Sequence, residues 1–118
     1  MKNKKNKELA LNTKLVNAGT IRSQFGETSE AIFLNSSYSY ESAESAEDLF
    51  AGKRDGFKYS RYSNPNLRML EERLIALETG AEECVVTGSG MAAVYASILC
   101  DIKPGDHLIA NNVLFSSC

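Results

Sequence analysis

Thr87-Gly88-Ser89-Gly90-Met91-Ala92-Ala93 is the stretch on which the fold of this 118-residue chain turns. It joins a short apolar run, Cys84-Val85-Val86, to a helix-compatible segment from Gly90 to Leu99. The run, bounded by Thr87-Gly88, reads as a buried strand, and Ala92, Ala93 and Ala96 give the helix small residues for close packing. Lys103-Pro104-Gly105-Asp106 predicts a turn, and His107-Leu108-Ile109-Ala110 a second strand. Strand, helix, turn and strand in that order predict a βαβ unit with a parallel sheet, so the expected class is α/β. Two or three parallel strands leave an open edge and an uncovered face. The chain therefore reads as the opening piece of a larger α/β domain, marginal or partner-dependent when isolated.

Upstream of that unit, Asn64 can cap a helix whose first residue is Pro65, where the missing N–H costs nothing. Leu67, Leu70, Leu74 and Leu77 recur at spacings of three, four and three and share one face; Glu71, Glu72 and Arg73 point elsewhere, and Gly80 is the natural stop. Residues 1–30 have weak periodicity, with Gly19 and Gly26 as breakers, and read as extended arm and loop. Ala31 to Leu34 is a short apolar run, followed by a Ser- and Tyr-rich stretch to Ser42. Ser45 and Asp48 form an acidic variant of the capping box, opening a short helix that Gly52 closes. Gly52 to Tyr59 is charged and reads as an exposed loop.

Composition narrows the function classes. The chain is 43% hydrophobic and 24% charged, the profile of a soluble globular protein, and its length allows at most one domain. Two Pro and eight Gly are too few for a low-complexity chain. No apolar run approaches the ~18 residues of a membrane span. A net charge of −2 provides no field to gather nucleic acid. Cys84, Cys100 and Cys118 form no closed disulfide set and no CxxC pair, and a single histidine, His107, completes no zinc site. They read as reduced, buried thiols of a cytosolic protein. Lys2, Lys4, Lys5 and Lys7 are followed by no apolar segment, which excludes a secretory signal and predicts a frayed, solvated arm.

The glycine stretch is also the main chemical signal. Gly88 and Gly90 remove side chains, so the backbone can approach an anion closely. The first N–H groups of the helix are unpaired and its macrodipole favours negative charge, worth about 0.3–1 kcal/mol when exposed. A phosphate site follows; the alternative is a glycine turn needed only for strand-to-helix packing. Gly88-x-Gly90-x-x-Ala93 also fits the dinucleotide fingerprint literally, but the next strand ends in Ala110-Asn111-Asn112 with no carboxylate for a ribose. A Walker A loop is excluded because no Gly-Lys-Ser/Thr follows.

Tyr59-Ser60-Arg61-Tyr62-Ser63-Asn64-Pro65 is the second signal. In an extended stretch, Tyr59 and Arg61 point to the same side, where Arg61 can donate a bidentate pair to phosphate and Tyr59 a third bond. The plainer alternative is a solvated or ion-paired arginine. His107, opening a strand after a turn, reads as an ordinary surface residue.

Tyr59-Ser60-Arg61-x-x-Asn64-Pro65 followed by Gly88-Ser89-Gly90-Met91-Ala92-Ala93 resembles the signature pair of the pyridoxal-phosphate (PLP) enzymes of Cys/Met metabolism. That family comprises cystathionine synthases and lyases, methionine γ-lyase and homoserine-ester sulfhydrylases. Thr13-Lys14-Leu15-Val16-Asn17-Ala18-Gly19 is similar to its N-terminal pattern. Glu27 to Leu34, followed by Ser36-Ser37-Tyr38, looks most like the O-succinylhomoserine sulfhydrylases, and the likeness runs from Thr13 to Cys118.

The resemblance implies an N-terminal arm and loop region over 1–58, and over 59–118 the start of an aspartate-aminotransferase-type (fold type I) PLP-binding large domain. It implies that the complete enzyme exchanges the acyl group of an O-acylhomoserine for sulfide, giving homocysteine in the cytoplasm. Within the family a cystathionine synthase or lyase is the alternative; outside it stand a catalytically inert fragment and a dinucleotide-binding module. Gly90 and Met91 would give backbone N–H groups to the cofactor phosphate. Tyr59 and Arg61 would reach the phosphate of a neighbouring subunit in a homo-oligomer, and Phe115 would stack on the pyridine. Ser116 stands where relatives commonly have glycine. Lys53 and Lys58 lie in a charged loop and Lys103 in a turn, so none has the apolar pocket a Schiff-base lysine needs. In the family that lysine, the aspartate on the pyridine nitrogen and the arginine for the substrate carboxylate all lie farther along. No catalytic or metal-binding residue is expected within these 118 residues.

Overall fold

The computed structural model describes residues 10–115, so the lysine-rich start, Ser116 and Cys118 lie outside the described residues. The chain divides into two compact units, one ending at Cys84 and the other beginning at Val85.

Three helices organise the first unit: α1 (Leu11–Asn17), α2 (Ala43–Phe50) and α3 (Pro65–Leu77). α3 starts as its sequence dictates: Asn64 is extended, its side-chain oxygen accepts from the Asn66 N–H at 2.9 Å, and Pro65 occupies the first turn. α1 packs on α3. The chain leaves α1 through Ala18, which is buried, and Gly19, whose φ of +69° favours glycine. A Cβ on Gly19 would sit 2.5 Å from the Glu72 Cβ and 2.9 Å from the Met69 carbonyl oxygen, so a bare α-carbon is what lets the two helices approach. The Arg73 guanidinium, paired with Glu30, also donates to the Val16 carbonyl at 3.4 Å and ties α3 to the arm.

Side chains join the 33–40 segment to the start of α3. The Phe33 N–H donates to Asn66 Oδ1 at 3.1 Å, and its carbonyl accepts from Asn66 Nδ2 at 3.0 Å and from Asn64 Nδ2 at 3.4 Å. Farther along, the Ser60 N–H donates to the Ser36 carbonyl at 2.9 Å, Ser37 and Tyr59 form an isolated antiparallel bridge, and the Tyr40 hydroxyl donates to the Lys58 carbonyl at 2.8 Å. Residues 58–64 are thus held against 33–40 along their length. On the other side, Leu49 of α2 is buried, and a Cβ on Gly56 would meet its Cδ1 at 3.0 Å.

The second unit contains α4 (Gly90–Leu99) and a turn in which the Asp106 N–H donates to the Lys103 carbonyl at 3.0 Å, answered by Lys103 N–H to Asp106 Oδ2 at 2.7 Å.

Several expectations need correction. The segments 84–86 and 107–110 carry no regular secondary structure, and no regular strand forms among the described residues, so the parallel pairing of the βαβ reading is absent there. A strand persists through bonds to neighbouring strands; here Val85 is 80% and Ile109 98% exposed. The expected arm over 1–30 contains a helix, α1, which the weak periodicity hid. The capping box is Ser42 with Ser45, opening α2 three residues earlier than the Ser45–Asp48 reading, because Ser42 is the residue in extended conformation. The leucines of α3 do share a face, but each is 39–47% exposed, while Met69 is buried and Glu72 and Arg73 lie partly covered beside α1. Ala92, Ala93 and Ala96 are exposed rather than packed, Cys84 is half-buried, and Cys100 is exposed. Apolar burial among the described residues is slight: Ala18, Leu49 and Met69 form the core, and no side chain is less than 2% exposed.

Candidate functional site

The N-terminus of α4 is built by Ser89. Its backbone is extended (φ −159°, ψ 157°), its hydroxyl accepts from the Ala92 N–H at 3.1 Å, and its carbonyl accepts from the Ala93 N–H at 3.1 Å. The Thr87 hydroxyl donates to the same carbonyl at 2.7 Å and braces the turn. The cap hydroxyl thus satisfies one orphan donor, the Ala92 N–H, and the Ala93 bond is the first of the helix itself. The N–H groups of Gly90 and Met91 have no acceptor among the described residues.

The glycines there bear on the choice between an anion site and a packing turn. Neither Gly88 nor Gly90 has a positive φ, and a Cβ on either would meet no atom within 4 Å. Neither backbone conformation nor packing in the described chain requires glycine at these positions. What their bareness supplies is clearance above two free amides, the shape and polarity that fit a phosphate.

In the first unit, Tyr59 and Arg61 are brought together, by a turn rather than by extended backbone. The Tyr59 carbonyl accepts from the N–H groups of Tyr62 and Ser63, at 2.9 and 3.1 Å. Ser60 points back into the fold, accepting from Asn64 Nδ2 at 3.0 Å and donating to the Asn35 carbonyl. Arg61 is exposed, with its guanidinium carbon 5.2 Å from the Tyr59 ring centroid and 5.5 Å from that of Tyr62. No carboxylate or other acceptor among the described residues meets its N–H donors, so among them Arg61 is not ion-paired. Tyr62 is the neighbour that sequence reasoning missed; an aromatic on each side of an arginine was the available signal.

Tyr59 and Arg61 belong to the first unit, and Gly90, Met91 and Phe115 to the second. The Phe115 side chain is 77% exposed. The lysines are accounted for otherwise: Lys53 pairs with Asp48 at 3.5 Å, and the Lys58 ammonium lies 5.6 Å from the Phe50 ring centroid. His107 is exposed. No helix among the described residues is long and apolar enough to cross a membrane.

Residues 12–118 match the model of the family described as "Cys/Met metabolism PLP-dependent enzyme". The chain is 48% identical over 103 residues to an O-succinylhomoserine sulfhydrylase of Mycobacterium tuberculosis, covering 87% of this chain and 25% of that protein. It is 44% identical over 108 residues to the Pseudomonas aeruginosa O-succinylhomoserine sulfhydrylase, covering 92% and 27% respectively. An L-methionine gamma-lyase of Treponema denticola is 33% identical over 115 residues, 98% of this chain and 28% of that one. Among solved structures, one described as an O-acetylhomoserine (thiol)-lyase of Campylobacter jejuni, containing N'-pyridoxyl-lysine-5'-monophosphate, superposes with a TM-score of 0.71 at 28% identity. That match covers 77% of this chain and 22% of the other. The chain spans about a quarter of the length of the curated relatives it matches.

Proposed function

The chain belongs to the Cys/Met metabolism family of PLP-dependent enzymes, and on that premise we propose that it is the N-terminal part of a sulfhydrylase that makes homocysteine from an O-acylhomoserine and sulfide. The cofactor of the family is pyridoxal phosphate. The fold we propose is the arm, over 1–58, and the beginning, over 59–118, of a fold type I large domain of α/β class. The sulfhydrylase reading is supported by the higher identity to the O-succinylhomoserine enzymes, 44–48%, than to the γ-lyase at 33%.

The observation that carries the cofactor role is the pair of unengaged amides at Gly90 and Met91 under clear space. They would hold the phosphate by backbone donation, aided by the α4 dipole. Arg61, with its donors unspent, and the Tyr59 hydroxyl would complete the cup from a second subunit of a cytoplasmic homo-oligomer. Phe115, an exposed flat ring, would cover the pyridine face. Bound pyridoxal phosphate supplies an electron sink for bond breaking at the amino-acid substrate. The residues of this chain bind and orient it; none is assigned a proton transfer.

Gly90→Pro is the informative variant. Gly90 is the first residue of α4, where proline is tolerated, and Ser89 already has the extended backbone that proline demands of its predecessor. The substitution removes one phosphate donor and leaves the helix. Titrating the chain with pyridoxal phosphate should shift the Gly90 and Met91 amide resonances, and Gly90→Pro should weaken that binding about tenfold or more, since a hydrogen bond to a charged group is worth about 1.5–3 kcal/mol. Saturable binding of NAD without binding of pyridoxal phosphate would overturn the proposal in favour of a dinucleotide module. Borohydride reduction after loading reads a further point: a stoichiometric adduct on one lysine would mark an active chain, and its absence a binding fragment.

A further inference from the structure

The proposed phosphate role leaves Tyr62 without a task, yet it lies against the one arginine that role invokes. The turn made when the Tyr59 carbonyl accepts from the Tyr62 and Ser63 N–H groups brings two rings, three residues apart, around Arg61. Their centroids lie 5.2 and 5.5 Å from the guanidinium carbon, both within reach of a cation–π attraction. Tyr62 is itself 68% exposed, so core packing does not account for its place. The turn is anchored on both flanks, by Ser60 to the 35–36 segment and by Asn64 at the start of α3, so the rings stand on a fixed base.

We propose that Tyr62 is a positioning residue that, with Tyr59, clamps the Arg61 guanidinium in readiness for a phosphate; the inference rests on the phosphate-binding reading of Arg61. An exposed arginine has considerable rotamer freedom, which a bound anion must otherwise suppress. A ring attracts the cation through its π face and consumes none of its N–H donors. The clamp therefore orders the side chain while leaving its hydrogen-bonding edge available. A carboxylate partner would order it too, but would neutralise the charge and occupy the donors that a phosphate needs.

The test uses Tyr62→Phe, which keeps the ring, and Tyr62→Leu, which keeps apolar bulk without a π face. In the 118-residue chain, 15N relaxation at Arg61 Nε should show a restricted side chain in the parent and in Tyr62→Phe, and a freely moving one in Tyr62→Leu. Backbone amide spectra away from 59–64 should coincide in all three, separating loss of the clamp from loss of fold. Inorganic phosphate, titrated as the probe, should bind the parent and Tyr62→Phe alike and Tyr62→Leu about two- to fivefold more weakly. Equal restriction of Arg61 in Tyr62→Leu, or loss of restriction in Tyr62→Phe, overturns the clamp. Failure of phosphate to shift Arg61 in the parent overturns the phosphate reading instead, and the relaxation comparison still decides the clamp.

Discussion

Gly19→Ala is the perturbation whose cost follows most directly from the geometry. At φ +69° an L side chain is strained, by about 1–2 kcal/mol. The new methyl would lie 2.5 Å from the Glu72 Cβ and 2.9 Å from the Met69 carbonyl oxygen. Neither obstacle is the free end of a flexible chain: one is a backbone oxygen inside α3 and the other a β-carbon fixed to it. Relieving them means backing α1 away from α3, an overpacking penalty of about 1–3 kcal/mol. Alanine restricts the unfolded chain, which returns only about 0.4–1 kcal/mol. The sign is therefore destabilising, with a net loss of about 1–4 kcal/mol. Urea titration followed by circular dichroism at the helical minimum should show the midpoint falling, by about 0.3 to 4 M if the slope is about 1–3 kcal/mol/M. A midpoint equal to or above that of the parent would refute the docking of α1 on α3 through this glycine.

Other consequences are as open to measurement. Asn64→Ala should lower stability by about 1–2 kcal/mol through the lost cap and its buried side-chain bonds; Asn64→Ser, which restores a capping oxygen, should recover part of it in the same titration, and the reverse order would count against the cap. The Glu27 carboxyl is held below its ordinary range first by the Ser23 hydroxyl, then by the Ser23 N–H, which meet its oxygens at 2.6 and 2.7 Å. A depressed carboxylate contributes stability that is full above its unfolded pKa and is lost as pH falls through the folded value. The 23–27 loop should thus loosen on the acid side of the usual carboxylate range, and carbon-detected titration of Glu27 should show its pKa rising toward the ordinary value in Ser23→Ala. Glu44, in the first turn of α2, is lowered chiefly by its own backbone N–H and then by Ser42, so Ser42→Ala should raise its titration point and shorten α2 on acidification.

Local signals were legible where one residue type has one physical use. Asn64-Pro65 predicted the start of α3 and Gly52 the end of α2, because caps and stops act over two or three residues, and the helix-compatible segment from Gly90 matches α4. What could not be read was anything depending on distant partners. Val85 and Ile109 have the composition of strands, but a strand is completed by its neighbours, and no ladder forms among the described residues. α1 escaped notice because, with no buried residue of its own, it shows no apolar stripe. At the candidate site, the amides of Gly90 and Met91 followed from sequence, since a helix N-terminus is a backbone property. The aromatic enclosure of Arg61 did not, because it depends on a turn that an extended reading replaced.

The way Asn66 grips the peptide of Phe33 has its own consequence. One carboxamide offers both a donor and an acceptor, as a neighbouring strand would, so a single side chain stands in for a length of sheet. A genuine sheet edge is indifferent to which residues compose it, because main chain meets main chain. Here both bonds that Asn66 makes to the Phe33 peptide depend on one replaceable group. Exchange of that asparagine for aspartate, an alteration of one atom, would set an anionic oxygen against the Phe33 carbonyl and turn a fastening into a repulsion. Losing that one amide would loosen the start of the segment against which residues 58–64 are held.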